Sequence, residues 1–243
     1  MNYHLTIMFN GAGYHGWQRQ ENAVSVQQTL EEAVFRLFGE RCGVTGCSRT
    51  DAGVHAQDFH ANFKTEKPMP FGTVVSGLNF YLPDDISVIR CEAAAPEFNA
   101  RFSCRSKEYH YVFYDSPYCN PFYLNRAVHS KHKLDEKLMD REAKSFTGAH
   151  DFSAFCAAGA AVRSNIRTVK KAGVYRENDQ VVFYVEADGF LYNMVRIMAG
   201  TLLYIDEGKI APGSIPGILE AQDRVLAGKT MPPQGLYLYR VHY

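Results

Sequence analysis

The chain contains 243 residues, of which 46% are hydrophobic and 21% are charged, and its 26 basic residues balance its 26 acidic ones. This composition is ordinary for a soluble globular protein. A net charge of zero gives no support for a nucleic-acid partner. It does not exclude one, because a local stripe of positive charge is enough to bind phosphate groups.

Patterns for targeting, membrane insertion and metal binding are missing from the sequence. No basic segment followed by an apolar run opens the chain, and the most apolar segment, 189–205, is too short and too polar to span a bilayer. The six cysteines have neither Cys-x-x-Cys spacing nor a nearby pair of histidines. We therefore expect a cytoplasmic protein without disulfides or bound metal.

The first part of the chain mixes strand and helix patterns. Residues 3–9 alternate apolar and other side chains, which predicts a strand. Ser25 and Gln28 form a capping-box pattern, which predicts a helix from Ser25 to about Phe38. Further elements are predicted as strands at about 42–48, 58–65 and 86–95 and a helix at about 72–81.

The second part repeats this mixture, beginning with an aromatic-rich strand at 108–115 and a helix from Asp135 to about Phe146. The remaining predicted elements are strands near 166–176, 180–187 and 236–242 and helices near 190–206 and 214–227. Hairpins rather than strict βαβ alternation favour an α+β fold with a mostly antiparallel sheet flanked by helices. We expect two related subdomains, 1–105 and 106–243, that share this sheet.

Residues 46–55 place an acid, a base, two hydroxyls, a glycine and a histidine between two apolar runs. Core strands rarely contain so many polar groups, because a buried unpaired charge is costly. One interpretation is a strand that presents Asp51 to a cleft and then turns at Gly53. The other is a polar hairpin whose Arg49–Asp51 pair is only structural. The residue types leave both open.

Residues 11–16 match the Gly-x-Gly-x-x-Gly pattern of dinucleotide-binding folds. That fingerprint needs a helix that begins at its third glycine, whereas the helix predicted here begins only at Ser25. We therefore expect no nicotinamide cofactor. The glycines are better explained as shaping a loop of groups suited to base stacking and phosphate contact, namely Tyr14, His15, Trp17, Gln18 and Arg19.

Two further segments, the aromatic-rich strand and the apolar helix near 190–206, contain side chains suited to a functional site. Tyr109 and Tyr111 project from one face of their strand; such a face is typical of a core, but a tyrosine at a cleft is a platform for a flipped base. Arg196 falls inside an apolar helix, where a guanidinium needs a partner. That partner is either a structural acid or Asp51, whose carboxylate the pairing would keep ionised and oriented.

Taken in order, eight short motifs of this chain resemble those of the TruA-type tRNA pseudouridine synthases. They are YHGWQRQ (14–20), SVQ (25–27), RTDAGVHA (49–56), ARFS (100–103), KEYHY (107–111), GAHDFSAF (148–155), MVR (194–196) and PPQGLYL (232–238). Each motif alone is weak, but eight in series along nearly the whole chain are specific.

The resemblance implies an isomerase that converts uridine to pseudouridine in the anticodon stem-loop of tRNA, at positions 38, 39 and/or 40. The N1–C1′ bond is cleaved, the base rotates, and a C5–C1′ bond forms, without a cofactor or a metal. The resemblance also implies a homodimer that cradles tRNA, and two α+β subdomains with the active-site cleft between them.

Four residues match the functional positions of that family. Asp51 matches its essential aspartate, which either attacks C1′ or removes a sugar proton to give a glycal; the sequence does not choose between these routes. Tyr109 matches the tyrosine that stacks on the target uracil, and its hydroxyl would help to remove the C5 proton. The remaining matches are Arg196, to the basic residue that pairs with the aspartate, and Arg49, to an arginine that helps to extrude the nucleotide.

The sequence departs from the family pattern at a few positions: Ser48 replaces a glycine, Asn99 a histidine, Tyr192 and Asn193 two histidines, and Ile197 an asparagine. None of these is a residue matched to the chemistry, so they bear on the target uridine rather than on the reaction. A target at another RNA site and a catalytically silent RNA-binding protein stay open as alternatives.

Overall fold

The computed structural model describes residues 1–159 and 164–243. Within them the chain divides into two compact units, one formed by Met1–Arg105 with Tyr237–Tyr243 and the other by Ser106–Leu236. Most strand pairs inside each unit are antiparallel. The predicted α+β class with a mostly antiparallel sheet is therefore confirmed.

The described residues form ten strands and five α-helices. The strands are β1 (Asn2–Phe9), β2 (Thr45–Gly46), β3 (His55–Lys64), β4 (Ile86–Ala94), β5 (Ser106–Asp115), β6 (Val128–Ser130), β7 (Gly148–Asp151), β8 (Ile166–Glu177), β9 (Gln180–Ala187) and β10 (Leu236–His242). The helices are α1 (Val26–Phe38), α2 (Phe71–Tyr81), α3 (Glu136–Ala143), α4 (Met194–Asp206) and α5 (Ile215–Ala221).

In the first unit, β1 lies between β4 and β3, and β10 pairs with the other side of β3 in parallel, with Tyr237 opposite His55. Helix α1 begins where the capping pattern predicted, because the Ser25 Oγ accepts a hydrogen bond from the Gln28 N–H at 3.2 Å. The helix buries one apolar face, consisting of Val26, Leu30, Ala33, Val34 and Phe38.

In the second unit, the strand order is β5, β9, β8, β7, and β6 pairs in parallel with β5. The β8–β9 hairpin turns at the predicted place, where Asn178 adopts a left-handed conformation (φ 56°) that asparagine tolerates better than most residues. Helix α4 is the most buried helix of the unit, with ten of its side chains or backbone positions in the core.

The structure differs from the sequence-based elements in one shortened strand, two shortened helices and two short strands that were not predicted. The strand predicted at 42–48 is reduced to two residues, and helices α4 and α5 are shorter than predicted. Asn193 (φ 59°) and Gln222 (φ 55°) are left-handed, so the first delays the start of α4 and the second ends α5. The short strands β6 and β7 were not predicted, because three or four residues with polar members show no clear alternation.

No helix in the described part of the chain is both long enough and apolar enough to cross a membrane.

The second unit contains an ion-pair network around Arg176 of β8. Its guanidinium donates two hydrogen bonds to the Asp115 carboxylate (2.9 and 2.7 Å) and one to Glu136 (2.9 Å). Burial alone would raise the pKa of Asp115, but the hydrogen bonds from Arg176 and the Leu134 N–H bring that pKa below its ordinary value. The Arg176 guanidinium therefore connects the end of β5 to β8 and to the start of α3.

Replacing Arg176 by methionine is expected to lower the free energy of unfolding by about 2 kcal/mol at pH 7, because it leaves a mostly buried carboxylate without its partner. The low folded-state pKa of Asp115 stabilises the protein above the unfolded value of about 4, so the difference between variant and wild type should shrink as pH falls below it. Urea denaturation at several pH values measures this.

Lys144→Met is the matched control, because it removes an exposed ion pair to Asp140 (2.7 Å) from the same unit. We expect it to leave the urea midpoint unchanged. Equal losses for both variants, or a loss for Arg176→Met that does not depend on pH, would contradict the assignment.

Candidate active site

Asp51 begins a tight turn that leads directly into β3. The Val54 N–H donates to the Asp51 carbonyl at 3.2 Å, and Gly53 inside the turn has φ 79°, a conformation that glycine adopts without steric cost. Asp51 is half-buried, Thr50 before it is buried, and Arg49 is exposed. The first unit therefore presents the carboxylate on a short, hydrogen-bonded segment rather than on a flexible loop.

A loop formed by residues 10–17 packs on this turn and contains the glycines of the dinucleotide-like pattern. Gly11–Gly13 form a short 3₁₀ turn, and α1 begins only at Val26, as predicted. A Cβ atom on Gly11 would lie 1.9 Å from the Val54 carbonyl oxygen. These glycines therefore allow two backbone segments to approach each other.

The expectation that Tyr14 and Trp17 are available for stacking on bases is wrong. Trp17 is 2% exposed, and its indole stacks on Phe59 with ring centroids 4.2 Å apart. Tyr14 is also buried, and its hydroxyl donates to the Asp85 carboxylate at 2.6 Å. Gly46 leaves room for the indole, because a Cβ there would lie 2.4 Å from the ring.

Of the same loop region, His15, Gln18 and Arg19 are exposed. They are the members of the predicted group that stay accessible to a ligand.

His55 was not singled out as a structural residue by the sequence, but it joins three segments of the first unit. It is 2% exposed, its Nδ1 accepts a hydrogen bond from the Gly11 N–H at 3.1 Å, and its ring stacks on Tyr237 of β10 at 4.6 Å. A single histidine gives no such signal in a sequence, because both contacts are distant along the chain.

The two tyrosines of β5 have different environments in the second unit. Tyr111 is fully buried, its hydroxyl donates to the Pro232 carbonyl at 2.7 Å, and burial raises its pKa. Tyr109 is 6% exposed, and its ring meets Phe190 edge-on with centroids 4.9 Å apart. Tyr111 is thus a core residue. Tyr109 is buried as well, so the substrate contact predicted for it rests on the match to the family motif and stays a prediction.

Arg196 lies in the first turn of α4 and is oriented by two groups of its own unit. Its Nε donates to the Met231 carbonyl at 2.7 Å and its Nη1 to the Asn193 Oδ1 at 2.6 Å. Gly200 makes this possible, since a Cβ there would lie 1.9 Å from the Lys229 carbonyl oxygen. The segment before β10 can therefore lie directly on α4. The expectation that the departures from the family pattern lie apart from the residues matched to the chemistry is wrong for Asn193, which contacts Arg196 directly.

The predicted site residues thus divide between the two units. Asp51 and Arg49 belong to the first unit, and Tyr109 and Arg196 belong to the second. In each unit the side chain matched to chemistry is accompanied by close backbone contacts that only glycine allows.

A family model described as tRNA pseudouridine synthase matches residues 143–243. The tRNA pseudouridine synthase A of Ruminiclostridium cellulolyticum is 45% identical over 240 residues, which is 98% of this chain and 98% of that protein. The protein of the same name from Acetivibrio thermocellus is 43% identical over 242 residues, 100% of this chain and 99% of its own length.

A solved structure described as the crystal structure of a Cbf5-Nop10-Gar1 complex aligns with 97% of this chain and 57% of its own, at 10% identity. Its TM-score of 0.37 is too low to establish a common fold.

Full-length identities above 40% define the class of protein: a tRNA pseudouridine synthase, which is an isomerase. Within that class the chain belongs to the tRNA pseudouridine synthase A family. The assignment that the eight motifs gave is confirmed.

Proposed function

We propose that this chain converts uridine to pseudouridine in the anticodon stem-loop of tRNA, at positions 38, 39 and/or 40. The observation that carries the proposal is the Asp51 turn, because it presents a half-buried carboxylate on a hydrogen-bonded segment inside the motif at 49–56. The relatives that match the whole chain are named for pseudouridine formation in tRNA.

Asp51 is the proposed catalytic residue. Its carboxylate either attacks C1′ as the N1–C1′ bond breaks, with the bonding pair leaving on uracil, or removes a sugar proton to give a glycal. The uracil then rotates and C5 bonds to C1′, which releases the Asp51 carboxylate in the first route and returns the sugar proton to the glycal in the second. C5 loses its proton and N1 gains one, so that the product is an isomer of the substrate. Neither route needs an oxidant, a reductant or a cofactor.

Arg196 is proposed to hold that carboxylate ionised and oriented. Support comes from the way Asn193 and the Met231 carbonyl orient the guanidinium, since a fixed fork gives a strong charge-assisted bond to a carboxylate. Arg49 is proposed to help extrude the nucleotide, and its exposure is compatible with contact to RNA. The two units would then be the two subdomains of the enzyme.

Tyr109→Phe is expected to leave tRNA binding intact and to slow turnover about tenfold or more, because it keeps the stacking ring and removes the hydroxyl that helps to take the C5 proton. Pseudouridine formation on an anticodon stem-loop transcript, measured at saturating RNA, gives the turnover rate. Tyr111→Phe is the matched control from the same strand face. It should lower the melting temperature through the lost bond to Pro232 without that drop in turnover.

A wild-type rate for Tyr109→Phe would remove the proton-transfer role and leave only stacking. Equal loss in both variants would point to the strand rather than to the Tyr109 hydroxyl.

The proposal includes a homodimer whose subunits jointly cradle the tRNA, and a cytoplasmic location. The homodimer follows from the family resemblance, and the location from the sequence pattern, rather than from any contact within the chain.

The direct test is to map pseudouridine in total RNA from a strain that lacks this protein. Loss of the modification at positions 38–40, restored by the wild-type chain but not by Asp51→Ala, is the expected result. Loss at a different RNA site would contradict the anticodon assignment. Binding of tRNA by the wild type without isomerisation on any RNA would support the catalytically silent alternative.

A further inference from the structure

The loop 10–17 holds the backbone of the Asp51 turn from both sides. Before the aspartate, the Trp17 N–H donates to the Thr50 carbonyl at 3.2 Å. After it, the Gly53 N–H donates to the Tyr14 carbonyl at 3.1 Å. The two hydrogen bonds bracket Asp51, so a displacement of the loop would displace the carboxylate.

Gly16 lies at the closest point between loop and turn. A Cβ on Gly16 would lie 2.3 Å from the Thr50 carbonyl oxygen, 3.1 Å from the Asp51 carbonyl carbon and 3.3 Å from the Ala52 nitrogen. The atoms that it would meet are backbone, which cannot rotate away as the end of a side chain can. Gly16 also has φ 82°, a conformation that L side chains rarely adopt.

The loop is anchored on its far side, so it cannot simply retreat from the turn. Asp85 fixes it twice, through its carbonyl to the Asn10 N–H (2.9 Å) and through its carboxylate to the Tyr14 hydroxyl (2.6 Å). Trp17 is buried against Phe59 at the other end of the loop. An added side chain at position 16 would therefore push the turn as well as the loop.

We propose that Gly16 is a positioning residue for Asp51, an inference that rests on the proposed function of that carboxylate. The missing side chain lets the loop set the position of the aspartate backbone. The opposing interpretation is that the loop serves RNA binding through its exposed neighbours His15, Gln18 and Arg19. The two differ in which kinetic constant changes when Gly16 is replaced.

The test compares Gly16→Ala with Gly39→Ala in the purified full-length chain. Gly39 lies in the same unit with a similar φ of 68°, but its nearest neighbour would be the Lys67 Nζ at 3.7 Å, so it reproduces the backbone strain without the contact. We expect Gly16→Ala to lower kcat about a hundredfold, the effect of a displacement of about 1 Å, with KM for tRNA unchanged. Gly39→Ala should keep the wild-type kcat.

Amide hydrogen exchange provides a readout that does not depend on activity. Exchange at Trp17 and Gly53 should be faster in Gly16→Ala and unchanged in Gly39→Ala, because these amides make the bracketing bonds. A raised KM with a wild-type kcat would overturn the proposal in favour of RNA binding. Faster exchange with a wild-type kcat would also overturn it, because the turn would then move without consequence.

Tyr14→Phe keeps the proposal testable if Gly16→Ala does not fold. It removes only the hydroxyl bond to Asp85 and loosens the loop, so we expect a smaller fall in kcat, about threefold to tenfold, again with an unchanged KM. Asp51→Asn measured in parallel distinguishes a failure of the proposed catalytic role of Asp51 from a failure of the proposed positioning role of the loop. If Asp51→Asn is active, the proposed function is rejected. If Asp51→Asn is inactive while Gly16→Ala and Tyr14→Phe both keep the wild-type kcat, only the positioning role of the loop is rejected.

Discussion

Asp51→Asn is expected to reduce pseudouridine formation at least about a thousandfold, which corresponds to about 4 kcal/mol of activation free energy. Asparagine has the same shape as aspartate, but it neither attacks C1′ nor removes a sugar proton. The turn should survive, because its hydrogen bonds use the backbone of residues 50, 51 and 53. The measurement is pseudouridine per tRNA under single-turnover conditions, so that binding and product release do not mask the chemical step.

Asp84→Asn is the matched control, since Asp84 is an exposed acid of the same unit. It should keep the wild-type rate. Asp51→Asn should bind tRNA as tightly as the wild type and unfold at the same temperature. A rate within about tenfold of the wild type in Asp51→Asn would show that another residue performs the reaction.

Arg196→Met is expected to reduce turnover at least about a hundredfold, or about 2.7 kcal/mol, because it removes the positive charge proposed to orient the Asp51 carboxylate. Arg196→Lys should recover part of this loss. It keeps the charge, but one ammonium cannot replace a planar fork that bonds both the Met231 carbonyl and Asn193. Single-turnover rates and melting temperatures of both variants are the measurements.

Arg224→Met is the matched control, which distinguishes loss of the charge proposed to orient the Asp51 carboxylate from a general loss of stability of the second unit. Arg224 also lies in the second unit and donates to a backbone carbonyl, that of Ala227 at 3.4 Å, and burial lowers its pKa. Its replacement should leave turnover unchanged. If Arg196→Met and Arg196→Lys lose activity equally, and in proportion to their loss of melting temperature, the role of Arg196 is structural only.

Much of the fold follows from local patterns in the sequence. The start of α1 is set by Ser25 and the β8–β9 turn by Asn178, and both features depend on neighbours within a few residues. The candidate site could be predicted in part for the same reason. Asp51 stands in a polar segment between apolar runs, which a core strand does not tolerate.

The remaining features depend on contacts between distant parts of the chain. Nothing near Trp17 in the sequence shows that its ring is covered by Gly46, and nothing near Tyr111 shows that its hydroxyl reaches Pro232. Sequence patterns therefore indicate candidate side chains for the chemistry more readily than they indicate the backbone contacts that hold those side chains in place.

The order of the strands has a consequence for folding during synthesis. Strand β10 belongs to the first unit and pairs with β3 beside the Asp51 turn, yet it follows the whole of Ser106–Leu236 in the chain. At ribosomal rates, that intervening segment takes roughly 7 to 26 s to make. For that time the His55 end of β3 lacks its neighbouring strand, and Tyr237 is not yet present to cover the His55 ring. The segment that carries the proposed catalytic carboxylate is therefore completed late, and an unpaired strand edge beside it is exposed to other nascent chains until then.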